Sequence, residues 1–212
     1  EYDIVIIGGG MVGASLAVAL GRLPLRVALV EAVSYESAAQ PSYDDRTIAL
    51  SFGSKRIFDG LGVWNRLEGR GATPIESIHI SDRGRFGFAR LAAAEAGVEA
   101  LGWVVESRAL GQALRPALEA APNLTLLMPA TMEHIALGAD RASVDVRQGS
   151  EHHSLTARLV VAADGGRSAA RAQLGIATHT RDYGQSALIT NVTPELPHAN
   201  VAYERFTDTG PL

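Results

Sequence analysis

The residues of this chain best suited to hold a ligand are the glycines of Gly8-x-Gly10-x-x-Gly13. Gly8 permits a tight turn, Gly10 lets the backbone approach a pyrophosphate, and Gly13 lets a helix pack closely on a strand. Met11 and Val12 fill the variable positions of the same turn and count with it as cofactor-binding candidates. A helix that starts here directs N–H groups and a positive dipole end at the phosphates. Glu31 closes the apolar run that follows. A carboxylate there accepts hydrogen bonds from adenosine ribose hydroxyls and repels a 2′-phosphate, which favours FAD or NAD over NADP. The competing reading is a glycine-rich turn that holds nothing. The order strand, glycines, helix, strand, acid weighs against it.

Ala163-Asp164-Gly165-Gly166-Arg167-Ser168 is the second constellation: an apolar run ends in an acid, then two glycines, then a helix start. Asp164 can bond a cofactor hydroxyl or order phosphate-binding groups, and Gly165 and Gly166 allow close backbone approach. A helix-capping Asp at an ordinary turn explains the same residues. Arg46, in Asp44-Asp45-Arg46, offers a guanidinium fork to a pyrophosphate, against the alternative of a solvated Arg–Asp cluster. Arg108 stands at a helix start, where a cation opposes the helix dipole, so it calls for an anionic partner. The pair His152-His153 has no third ligand at metal spacing, and the six histidines form no hydrolytic triad by their order.

These residues need elements to carry them. Asp3–Ile7 reads as a buried strand, Ala14–Leu20 as a helix and Leu25–Val30 as a second buried strand, which makes one βαβ unit. Residues 33–45 read as a polar loop, with helices expected around Ser54–Leu61 and Trp64–Leu67. Pro74 is expected to break the chain before a strand over Ile75–Ser81, with Phe86–Leu91 as its antiparallel partner. Ser107 is a suitable N-cap for a helix to about Ala120, with Leu110, Leu114 and Leu118 on one face. Strands follow at Leu124–Leu127, Ser143–Arg147 and Leu155–Ala163, the last two as a hairpin. A short helix over Arg167–Leu174 ends at Gly175, and Ala187–Val192 and Val201–Phe206 read as further strands. The expected class is α/β: a nucleotide-binding domain interrupted by pieces of a mixed sheet.

Composition excludes several functions. Nineteen basic and 23 acidic side chains give a formal net charge of −4, and no basic, aromatic-rich patch occurs, which argues against nucleic acid. The chain lacks cysteine, so disulfides, thiolate metal sites and a cysteine nucleophile are out. No apolar run reaches the ~18 residues of a membrane span. Lys55 is the only lysine, and no function follows from that.

The segments Asp3–Glu31, Asp45-Arg46-Thr47-Ile48-Ala49-Leu50-Ser51 and Ala162–Ser168 together resemble the single-component FAD-dependent aromatic hydroxylases, the p-hydroxybenzoate hydroxylase class. Ile78-His79-Ile80-Ser81-Asp82-Arg83-Gly84, Glu204-Arg205-Phe206 and Gly210-Pro211-Leu212 resemble its ubiquinone-biosynthesis branch, nearest the 2-octaprenyl-6-methoxyphenol hydroxylases. The resemblance implies a Rossmann-like FAD-binding domain over 1–73 and 107–182, interleaved with a partial substrate-binding sheet over 74–106 and 183–212. It implies that Gly8, Gly10 and Gly13 meet the FAD pyrophosphate and Glu31 the adenosine ribose. Arg46 would stand beside the phosphates and Arg108 beside the flavin. Asp164 and Gly165 would serve both FAD and NAD(P)H. It further implies that NAD(P)H reduces the flavin, that O2 forms a flavin C4a-hydroperoxide, and that a prenylated phenol is hydroxylated. The flavin carries that chemistry, so no side chain here is expected to be catalytic.

A cytoplasmic protein is implied, working at the inner membrane surface or with other ubiquinone-biosynthesis proteins. The family's later Gly-Asp and Pro-x-x-Gly-Gln-Gly run is not found in this sequence. The chain is therefore expected to be an N-terminal half, inactive by itself. Two alternatives stay open: a non-catalytic dinucleotide-binding fragment, and a prenyl reductase or halogenase sharing the motifs. A halogenase calls for a Trp-x-Trp-x-Ile segment and a lysine near the flavin, neither of which is visible.

Overall fold

The computed structural model describes residues 1–37, 40–68 and 71–212. Residues 38–39 of the expected loop and 69–70 of the expected first domain segment lie outside the described residues. In chain order the elements are β1 (Tyr2–Ile7), α1 (Met11–Leu20), β2 (Val27–Val30), β3 (Thr47–Ser51), α2 (Phe52–Gly60), a 3-10 turn at Trp64–Arg66, β4 (Ala72–Ile75), β5 (Ser77–Asp82), β6 (Phe88–Ala92), α3 (Ala93–Ala96), β7 (Gly102–Glu106), α4 (Ser107–Glu119), β8 (Leu124–Leu127), β9 (Thr131–Leu137), β10 (Ala142–Gln148), β11 (Glu151–Ala162), α5 (Ala169–Gln173), β12 (Val201–Thr207) and β13 (Gly210–Pro211). They form two compact units: Glu1–Asp44 with Leu110–Leu188, and Asp45–Ala109 with Ile189–Leu212.

The first unit is built on a six-stranded sheet in the order β8-β2-β1-β11-β10-β9. β8, β2, β1 and β11 run parallel, and β10 and β9 add an antiparallel edge. Strands covered on both faces must be apolar throughout, and all four residues of β2 and the last three of β1 are buried. β11 is long enough to do two jobs. Its first half closes the hairpin with β10 and its second half pairs with β1, Ile7 lying opposite Ala162. One core cluster gathers Val5, Val30, Ile135, Val144 and Leu155 with Ala170 of α5. Leu110, Leu114 and Leu118 of α4 are all buried, as their spacing requires.

The second unit holds a four-stranded sheet, β13-β12-β5-β6, and a three-stranded one, β3-β7-β4. Here several expectations fail. Pro74 does not break the chain; it lies inside β4, an edge strand, where a residue without an N–H leaves no ladder bond unmade. The single strand expected over Ile75–Ser81 is divided, β4 ending at Ile75 and β5 starting at Ser77 in a different sheet. Ala187–Val192 forms no strand. Its Leu188, Ile189 and Val192 are exposed, and β-propensity without a pairing partner does not make a strand. β3, β7 and β13 here, and β9 in the first unit, have no counterpart among the strands expected from the residue pattern, because stretches with mixed patterns declare themselves only through partners. No helix among the described residues is long and apolar enough to cross a membrane.

Candidate cofactor-binding site

β1 sits between β2, reached through α1, and β11, reached from much later in the chain. That reversal of direction opens a crevice at the carboxyl ends of parallel strands, the usual ligand position in such sheets. A cavity of about 500 Å³ lies there. Gly8, Gly10 and Glu31 line one part of it, and Asp164, Gly165 and Gly166 another. Residues far apart in sequence are thus brought together within the first unit. Met11, Val12 and Gly13 open α1 directly after Gly10, and Val12 is 75% exposed.

The glycines have distinct reasons. Gly8 has φ +99°, and a Cβ on it would overlap the Ala163 carbonyl oxygen. A Cβ on Gly13 would overlap the Gly8 carbonyl oxygen, so α1 seats on the β1 turn only with a bare backbone. A Cβ on Gly10 would stand 2.8 Å from Ser42 Oγ. Gly165 has φ +81°, and nothing stands within 4 Å of a Cβ at Gly165 or Gly166, so that wall of the crevice is open. Gly10 caps α1 without any side-chain hydrogen bond, and the first turn carries no acid. Its N–H groups and dipole therefore remain suited to an anion.

Both carboxylates already hold the backbone in place. Glu31 Oε2 accepts from the Gly9 N–H at 2.5 Å, and Oε1 accepts from the Val33 N–H at 2.8 Å. A carboxylate has about four lone-pair sites, so hydroxyls can still be accepted there. Asp164 Oδ1 accepts from Ser168 Oγ at 2.5 Å and Oδ2 from the Ala170 N–H at 3.1 Å. Ser168 Oγ in turn accepts from the Arg171 N–H at 3.0 Å. Ser168, not Asp164, is therefore the N-cap of α5; Asp164 braces it by accepting from the Ser168 hydroxyl and the Ala170 N–H, and it also lines the crevice.

Arg46 and Arg108 belong to the second unit and are not among the residues lining the cavity. The Arg46 carbonyl accepts from the Ser107 N–H at 2.9 Å, and Arg108 Nε donates to Asp45 Oδ1 at 2.9 Å. Asp45 is the anionic partner that Arg108 called for. Each of His152 and His153 faces a glutamate, Glu133 at 3.0 Å and Glu151 at 3.6 Å.

Sequence reading missed four residues around the glycine turn. Tyr35 and Tyr43 each donate a hydroxyl to the Gly9 carbonyl at 3.1 Å. Gln40 Nε2 donates to the Val33 carbonyl at 3.1 Å, and Ser42 lines the crevice. All four lie in a stretch that reads only as polar loop, and no spacing rule links them to the glycines.

Residues 1–208 match the FAD binding domain family. The chain belongs to that family. FAD is the cofactor for which it is named, and the bare helix start, the open glycine wall and the carboxylate beside them fit its pyrophosphate and ribose. This FAD-binding domain is 37% identical over 210 residues to the ubiquinone hydroxylase UbiL of Rhodospirillum rubrum, covering 99% of this chain and 48% of that protein. It is 32% identical to the 3-demethoxyubiquinol 3-hydroxylase of Escherichia coli K12, covering 99% of this chain and 53% of that one. The FAD-binding domain thus spans about half the length of the curated relatives it matches. Among solved structures it resembles the p-nitrophenol 4-monooxygenase PnpA of Pseudomonas putida, with a TM-score of 0.68 and 22% identity over 82% of this chain and 43% of that one. It also resembles the flavin-dependent monooxygenase PieE, solved with FAD and substrate, with a TM-score of 0.67 and 22% identity over 83% of this chain and 32% of that one. These likenesses establish the fold.

Proposed function

We propose that this chain is the FAD-binding half of a monooxygenase that hydroxylates a prenylated phenol in ubiquinone biosynthesis, with NAD(P)H as reductant. The observation that carries the reading is the crevice at the ends of β1 and β11, with a bare helix start on one side and open glycines on the other. The ubiquinone hydroxylases among its relatives support the choice of reaction. Bound FAD supplies the redox and oxygen-transfer chemistry.

The chain's own residues bind and orient. The turn Gly8–Gly13, with Met11 and Val12, presents backbone N–H groups to the pyrophosphate. Glu31 keeps lone pairs for the adenosine ribose while fixing Gly9. Asp164 and Gly165 shape the opposite wall of the crevice. The same proposal keeps Arg46, for the FAD phosphates, and Arg108, for the flavin, as cofactor-binding residues of the full protein, with 1–73 and 107–182 as the FAD-binding portion. Segments 74–106 and 183–212 contribute to the substrate sheet. Association with a membrane surface where a prenylated substrate resides belongs to the same proposal.

The test is direct. Full-length protein purified without added cofactor should show a flavin absorbance spectrum and should oxidise NADH or NADPH faster when a prenylated phenol is supplied. Protein that neither carries nor takes up FAD overturns the reading.

A further inference from the structure

Three consecutive glycines, Gly8-Gly9-Gly10, form the turn that faces the crevice. Glycine peptides rotate at little steric cost, so such a turn has no direction of its own. Something outside it must set which way each N–H and carbonyl points. We propose that Tyr35 and Tyr43 are positioning residues for cofactor binding: their hydroxyls hold the Gly9 carbonyl and so fix the direction of the Gly10 N–H toward the pyrophosphate. The inference rests on the FAD-binding reading above.

Gly9 is held at both ends. Its N–H is taken by Glu31 Oε2 and its carbonyl oxygen by both tyrosine hydroxyls. A trans peptide is planar, with its carbonyl and N–H pointing in opposite directions. With the Gly9 oxygen turned to the tyrosines, the Gly10 N–H is turned away from them. Gly10 lines the crevice, and neither tyrosine does.

The holders are themselves held. Tyr43 is 7% exposed, and its ring lies so close to Gly111 of α4 that a Cβ there would overlap it. Tyr35 meets it edge to face, the centroids 5.5 Å apart. Burial, and then the nearby Glu31 carboxylate, raise the Tyr35 hydroxyl above its ordinary range. Burial, Tyr35 and Glu31 do the same for Tyr43. Both hydroxyls therefore stay protonated and donating. A turn directed before the ligand arrives loses less freedom on binding, which is where affinity is gained.

The experiment compares ADP, which carries the pyrophosphate, with adenosine, which does not, by equilibrium dialysis against the apo form of the full-length protein. Tyr35→Phe and Tyr43→Phe each leave one hydroxyl on the carbonyl. Each should weaken ADP by about two- to threefold, and the double variant, which leaves a buried acceptor unmet, by about tenfold or more. Adenosine affinity should stay within about twofold of wild type throughout, because that half of the ligand does not touch the turn. A double variant that binds ADP like wild type, or that loses ADP and adenosine equally, overturns the positioning role. Should the double variant not fold, the singles decide, and an unchanged ADP-to-adenosine ratio in both overturns it. Wild-type protein that binds neither FAD nor ADP overturns the FAD-binding reading itself, and this inference with it.

Discussion

Gly13 and Gly53 are both helical glycines, and the structure assigns them opposite meanings. A methyl on Gly13 would overlap the Gly8 carbonyl oxygen, a backbone atom of the cofactor turn. Gly13→Ala should therefore cost about 1–3 kcal/mol of stability in urea unfolding and abolish FAD retention. A methyl on Gly53 in α2 meets only Ser51 Oγ, at 3.7 Å. Gly53→Ala should leave FAD binding intact and gain about 0.5–1 kcal/mol, because the unfolded chain loses freedom and the helix gains propensity. The tyrosine pair predicts a pH dependence. Both hydroxyls are raised from the ordinary 10.0, so below pH 10 they are protonated in the folded and unfolded chains alike. Above it the unfolded chain releases its protons first and is favoured. Stability should fall from about pH 10 upward, by as much as about 1.4 kcal/mol per pH unit for each tyrosine. Urea unfolding at rising alkaline pH measures this, and Tyr35→Phe/Tyr43→Phe should flatten the slope.

At the scale of elements, the central parallel strands were legible because burial on both faces leaves an unbroken apolar run, as in Val27-Ala28-Leu29-Val30. Edge and mixed strands were not. β4 carries Pro74 in mid-strand, and only its place at the edge of the three-stranded sheet makes that allowable. α2 shows how an unremarkable residue acquires a structural part. Lys55, the only lysine, pairs with Asp59 at 2.8 Å and Glu99 at 3.0 Å, and its ammonium lies 5.8 and 5.7 Å from the rings of Trp64 and Trp103. Hydrogen bonds to Asp59 and Glu99 raise its pKa, so it is a cation throughout the physiological range. It bridges α2, the 3-10 turn and the start of β7. Lys55→Met should lower Tm and shift tryptophan emission to the red. The emission is specific, because the chain has only 2 tryptophans and both are at this brace.

At the scale of the whole molecule, the chain crosses between its two compact units at 44/45, 109/110 and 188/189. The last crossing lies in a long exposed stretch without regular structure, where Arg181 stacks on Tyr183 at 5.1 Å. Backbone of that kind is what a protease can accommodate. Limiting trypsin should cut first after Arg181, leaving β1 to β11 intact, and mass spectrometry of the first fragments checks this. An earlier cut within β9 to β11 would contradict it. The sequence by itself determined the βαβ start, the glycine turn, the acid after β2, the Asp164 turn and the family they belong to. Each of those signals is local: a glycine needed for a turn, an apolar run needed for burial, an acid at a strand end. Tertiary structure alone decided that Gly8 and Asp164 face one crevice, that Asp45 pairs with Arg108, and that Tyr35 and Tyr43 clamp Gly9. Those depend on residues brought together by strand pairing and loop packing, and no periodicity or spacing along a single chain encodes such meetings.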